Sequence, residues 1–203
     1  MRAKVADNWK MESFDELLRK AEAAHGHMCP GQILGVRMSL IGLRHLDIED
    51  PTGSDRKRLI TYVEIDRCAT DAISMVTGCR LGKRSLKFRD WGKMAATFVD
   101  LSSERAVRVV ALETSRDLAH QHFPHLSSKK EQQMAAYREL PEKHLFLVKE
   151  VQVPVDPAEL PGFKGERVLC DQCGEGVNFG RYTERGGKRL CLSCCHPEDR
   201  YWR

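Results

Sequence analysis

Two cysteine pairs near the C-terminus, Cys170-x2-Cys173 and Cys191-x2-Cys194, stand 17 residues apart. Four thiolates at this interval suit one tetrahedral ion, and zinc accepts sulfur ligands without redox chemistry of its own. Cys195 and His196 compete with Cys194 for the fourth place. Two disulfides or an iron–sulfur-type site would use the same residues. No secretory leader is visible in MRAKVADNWKMESF, which favours the cytoplasm and hence a metal over disulfides.

A second constellation lies near the N-terminus: His25-Gly-His27-Met-Cys29-Pro30-Gly31. Two imidazoles and a thiol share one short loop that leads into a helix, whose N-terminal dipole favours a thiolate at Cys29. Cys68 opens a later helix, Asp71 lies one turn into it, and Cys79 follows its glycine stop. Histidine with thiolate suits zinc or another divalent transition metal. Scattered ligands of this kind usually leave a position open for water or substrate. The candidate ligands are therefore His25, His27, Cys29, Cys68 and Cys79, with Asp71 as a possible extra oxygen ligand. Cys29 with His27 as base would also make a thiol-hydrolase pair, although no third, orienting residue accompanies them. Asp71 suits either a partner for a ligand or an ordinary carboxylate at a helix start. His120, His122 and His125 read as helix-end surface residues, and the cations of 80–89 as a solvated strand face.

These residues need elements to hold them. Ser13-Phe-Asp-Glu16 is a capping box, predicting a helix over about 14–24. Pro30 suits the first turn of a second helix reaching Leu46, with Gly31, Gly35, Ser39 and Gly42 nearly in line along it. Such a stripe points to close approach of another backbone, for instance that of a second subunit. Residues 58–66 read as a strand and 68–77 as a helix stopped by Gly78. Strands follow around 84–90, 94–101 and 106–113, helices near 114–121 and 128–140, and a strand over 144–153. Helices segregated from clustered strands predict an α+β fold, helices packed on a mainly antiparallel sheet. The proline-rich run after Val153 is a linker, dividing the chain into a core over 1–153, a linker over 154–165 and a finger over 166–203. In that finger, Gly174 and Gly176 turn the chain and Gly186-Gly187 closes a hairpin, as in a treble-clef or zinc-ribbon module.

With 41% hydrophobic and 31% charged residues among 203, the chain can form a packed core, and no apolar run is long enough to span a membrane. A net charge of +4, from 33 basic and 29 acidic residues, argues against nucleic acid as the main partner.

Taken in order, the loop of residues 25–31, Gly35-x-Arg37, Val63-Glu64, Cys68-x2-Asp71-Ala72-Ile73, Thr77-Gly78-Cys79-x2-Gly82-Lys83 and Gly92-Lys93-Met94-Ala95 form a pattern. Over residues 14–150 it resembles FmdE, a family of formylmethanofuran dehydrogenase subunits. The resemblance implies an α+β core, a homodimer, a metal-binding cleft at His27, Cys29 and Cys68, and a role in one-carbon or molybdenum/tungsten-enzyme metabolism. Arg80 departs from the family, which often carries a small hydroxyl residue there; it would bring a cation towards the cleft. The redox chemistry of formylmethanofuran dehydrogenase belongs to metal-pterin and iron–sulfur centres in its other subunits, and this chain shows no ferredoxin-like cysteine run. The resulting expectation is a zinc-binding accessory protein with a cleft metal and a structural zinc. The rivals are a scaffold or metal-delivery protein that docks a larger redox complex, and a zinc-finger regulator.

Overall fold

The computed structural model describes residues 11–202, so most of the N-terminal stretch read above for a leader lies outside the described residues. The chain separates into two compact units, Met1–Pro154 and Val155–Arg203.

In the first unit, α1 (Phe14–His25) begins at the expected capping box: the Ser13 hydroxyl accepts from the Glu16 amide, and the Glu16 carboxylate accepts from the Ser13 amide. Gly26 ends it at φ +91°, a left-handed turn that favours glycine. Next come α2 (Pro30–His45), β1 (Leu59–Val63) and α3 (Cys68–Thr77). After these follow β2 (Leu86–Phe88), β3 (Ala95–Asp100), β4 (Ala106–Ala111), α4 (Thr114–His122), α5 (Lys129–Glu139), α6 (Glu142–Leu145) and β5 (Phe146–Val151). The five strands form one sheet in the order β2-β1-β3-β4-β5. The β1–β2 pair alone is parallel; the other three are antiparallel. The fold is α+β, with helices packed on a mainly antiparallel sheet.

Helix α2 is the central rod. Ile33, Met38, Ile41 and Leu43 are fully buried, and Phe98 and Val109 meet them from the sheet side of the same core. Its small-residue stripe has a cause within the chain. A Cβ on Gly35 would fall 2.4 Å from the Ala69 carbonyl of α3, and one on Gly42 would fall 2.2 Å from the Phe98 ring. The close backbone is that of α3, so the stripe supplies no argument for a second subunit.

In the second unit, β6 (Val168–Leu169) pairs with β7 (Gly176–Val177) and β8 (Tyr182–Arg185) with β9 (Lys188–Cys191), before the short α7 (Leu192–Cys195). Gly186 and Gly187, at φ +59° and +75°, make the predicted hairpin turn. Among the described residues no helix is long and apolar enough to cross a membrane.

Candidate metal centre

The N-terminal constellation assembles where three element ends meet. Cys29 caps α2 in extended geometry, with no side-chain capping bond of its own. Pro30 follows without loss of an amide hydrogen bond. Cys68 opens α3, which is steadied by a 2.6 Å bond from the Thr70 hydroxyl to the Ile65 carbonyl. Between α1 and α2, Gly26 folds the loop so that the His25 and His27 rings stand 4.7 Å apart. One donor atom each from His25, His27 and Cys29 then lies within 4.8 Å of the others.

His25 is the best-defined of these. Its Nδ1 meets the Asp71 carboxylate at 2.8 Å, which leaves Nε2 free to act as the ligand atom. That Nε2 is buried and has no hydrogen-bond partner. An unsatisfied buried nitrogen costs about 1–3 kcal/mol, and an ion among these three donors would remove that cost. The Cys68 thiol touches the Cys29 thiol, and burial, followed by that contact, raises its pKa. A Cβ on Gly31 would fall 3.1 Å from the Cys68 Cβ, so glycine lets the two cysteine-bearing helix starts approach.

The structure thus gathers His25, His27 and Cys29, with Cys68 against Cys29 and Asp71 behind His25. It does not gather Cys79. That thiol is 2% exposed in the core, facing the Thr61 hydroxyl at 3.5 Å and the Leu59 carbonyl at 3.7 Å. Ten residues of α3 separate its end from Cys68, a rise of about 15 Å. Arg80 follows Cys79 in the chain, beyond the same far end of α3. His120 pairs with Gln132 at 3.3 Å and joins no metal-type cluster among the described residues.

Gln32 and Arg108 carry no signal in the sequence, whereas Glu64 belongs to the pattern described above. Gln32 lies in an apolar run, yet its amide donates to the Cys68 carbonyl at 2.5 Å, while its Oε1 is buried without a partner. Glu64 and Arg108 form a two-pronged ion pair at 2.6 Å, which raises the arginine pKa; the Glu64 carbonyl also holds the Trp91 and Lys93 amides.

In the second unit, the sulfurs of Cys170, Cys173, Cys191 and Cys194 all lie within 4.8 Å of one another. Cys194 joins this set, whereas Cys195 lies outside it and His196 groups instead with Glu198 and Asp199. Backbone amides of Cys173 and Cys191 lower the Cys170 pKa to about 6, the state a metal ligand needs. Burial, then the neighbouring thiols, pushes Cys194 up to about 12, a cost that a divalent ion would reverse. Four convergent cysteines fit a zinc finger and can hold a metal such as zinc.

Residues 24–152 match the family described as "FmdE, Molybdenum formylmethanofuran dehydrogenase operon". A curated protein of Archaeoglobus fulgidus, "Probable S-adenosyl-L-methionine-binding protein", is 34% identical over 199 residues, covering 88% of this chain. The chain spans about half the length of that relative, 52%. The crystal structure of an FmdE-like protein of the tungsten formylmethanofuran dehydrogenase type, from Syntrophus aciditrophicus, is similar, with TM-score 0.63 and 26% identity. The match covers 97% of this chain and 99% of the other.

Proposed function

The chain belongs to the FmdE family, and from that premise we propose that it is a zinc-binding accessory protein of one-carbon or molybdenum/tungsten-enzyme metabolism. It works in the cytoplasm as a homodimer. His25, His27 and Cys29 hold a divalent ion in the core, with Cys68 beside Cys29 as the fourth candidate ligand. The four tail cysteines hold a structural zinc. One observation carries the reading: a buried histidine nitrogen without a partner, directed by a carboxylate on the other side of its ring.

When bound, an ion with an open position polarises a carbonyl or lowers the pKa of a bound water. The chain's own residues prepare that place. Asp71 fixes which nitrogen of His25 carries the proton, and Gly26 sets the spacing of the two imidazoles. Gln32 ties the start of α3 to α2. Zinc itself carries no electrons, so on this reading a redox step falls to a partner protein.

Metal analysis of purified protein tests the reading. We expect two ions per chain, one lost in Cys29→Ser and the other in Cys170→Ser. A Cys29→Ser protein with an undiminished metal content refutes the core site, and only one of the two assignments falls with either variant.

A further inference from the structure

We propose that Arg200 is a positioning residue of the tail centre, clasping the Cys194 sulfur and blunting it, so that soft alkylating electrophiles open the centre at Cys173. The inference rests on the tail ion assigned above and adds which of its sulfurs reacts.

Arg200 ends the short turn Pro197–Asp199 that follows the last cysteines. Its guanidinium bridges two acceptors: Nε donates to the Ser193 carbonyl at 2.7 Å, and Nη2 donates to the Cys194 Sγ at 3.4 Å. Among the described residues no carboxylate pairs with it, so its charge is directed at that sulfur. A divalent ion on four thiolates leaves a net charge of about −2, which a guanidinium partly offsets. The planar fork makes both bonds at once, tying the sulfur to the carbonyl beside it, whereas a lysine ammonium is a point charge.

The four sulfurs then differ in access. Cys170, Cys191 and Cys194 are 2%, 9% and 7% exposed, whereas Cys173 is exposed. Each buried sulfur also meets a donor. The Cys191 amide reaches the Cys170 Sγ at 3.3 Å, the Ser193 hydroxyl stands 3.2 Å from the Cys191 Sγ, and Arg200 serves Cys194. Cys173 receives an amide too, that of Glu175, so access is what singles it out. An attacking thiolate needs both a free lone pair and a path to the reagent. Arg200 stands against Cys194 and denies it both.

With iodoacetamide the step is a simple displacement. The Cys173 thiolate forms a sulfur–carbon bond while the carbon–iodine bond breaks, and iodide leaves with the electron pair. The thioether is neutral and no longer the anionic sulfur that a zinc site uses, so the ion is released.

The test is timed alkylation of metal-loaded, full-length protein with iodoacetamide, each adduct being placed by tandem mass spectrometry. Adducts on Cys195 and on the core cysteines are thereby read separately. Cys173 should react at least about tenfold faster than Cys194, and Arg200→Gln should raise the Cys194 rate about tenfold. Arg200→Lys keeps the charge but can make only one of the two bonds, so its Cys194 rate should fall between. A hydrogen bond lowers a sulfur lone pair in energy. In protein loaded with Co²⁺, Arg200→Gln should therefore move the sulfur-to-metal charge-transfer band to longer wavelength, which a loosened fold alone would not do. If Arg200→Gln does not hold the ion, Arg200→Lys carries the test, and a wild-type Cys194 rate there overturns the proposal. A tail that holds no ion brings down the reading above and this inference together. A tail that holds its ion but reacts first at another of its four ligand sulfurs, or shows an unchanged Cys194 rate or an unmoved band in Arg200→Gln, overturns this inference alone.

Discussion

At the scale of single residues, the core site turns on which nitrogen of His25 is offered. A free imidazole in a loop samples two tautomers and several orientations, and each lost alternative weakens an ion's hold. Asp71 removes them by accepting from Nδ1. Its side chain is 62% exposed, so solvent blunts the electrostatic part of its effect while the orienting part remains. Partners of this kind are worth about 10–100-fold in metal affinity, and the exposure places Asp71 at the lower end. Asp71→Asn should therefore weaken the core ion about tenfold in competition with a chromogenic chelator, with the tail site as internal reference. Equal affinity would reduce Asp71 to a helix-start charge. His25, His27, Cys29, Cys68 and Asp71 are legible in the sequence because histidine, thiol and carboxylate announce themselves by type. Their ranking cannot be read that way. His25 gains its orientation from a contact 46 positions along the chain, and Cys79 qualifies by type while its thiol faces the core.

At the scale of elements, the approach of α2 to α3 decides whether the cysteines meet. Gly35 sits where any Cβ would overlap the Ala69 carbonyl, so even alanine must push the helices apart. Overpacking of this kind costs about 1–3 kcal/mol. We expect Gly35→Ala to lose about that much in urea unfolding and also to loosen the core metal, although it lies six positions beyond Cys29. A stable variant with normal metal content would show that the contact can relax freely. The glycine spacing is legible in the sequence; its partner is not, because a stripe records that something comes close and never what. Helix boundaries are legible for a firmer reason. The Ser13/Glu16 box acts through bonds within one turn, and Pro30 and Gly78 through their own backbone torsions, so local sequence contains the cause.

The sheet adds a pH-dependent element. Asp100, at the end of β3, is fully buried; burial raises its pKa, but bonds from Arg58, Ser103 and Ser102 outweigh this and hold it well below the usual carboxylate range. A carboxylate depressed in the folded state contributes stability that is present above the unfolded pKa of about 3.9 and is lost as pH falls towards the folded one. Asp100→Asn should cost about 3 kcal/mol near neutrality, and the gap between variant and wild type should close below about pH 4. A gap that stays constant down to acid pH would assign the loss to packing instead.

At the scale of the whole molecule, the two units differ in what holds them together. The first buries a continuous apolar cluster from Leu17 to Phe146. Among the described residues of the second, Cys170, Cys191 and Cys194 form a small buried cluster, with Val177 and Leu190 packed alongside. So small an apolar cluster does little to offset the entropy of ordering the tail. Structural zinc contributes about 10–16 kcal/mol in finger peptides that are unfolded without it. The two units should therefore respond oppositely to a strong chelator. Trypsin should then cut at Lys164, Arg167 and the basic residues beyond, while a fragment ending near the Pro154 boundary survives intact. Its melting transition should persist with a small shift from loss of the core ion. Added zinc should restore protection of the tail and magnesium should not, since a four-sulfur site rejects a hard cation. A tail that resists trypsin equally well with and without chelator would mean that the cysteines stabilise it by some means other than a metal.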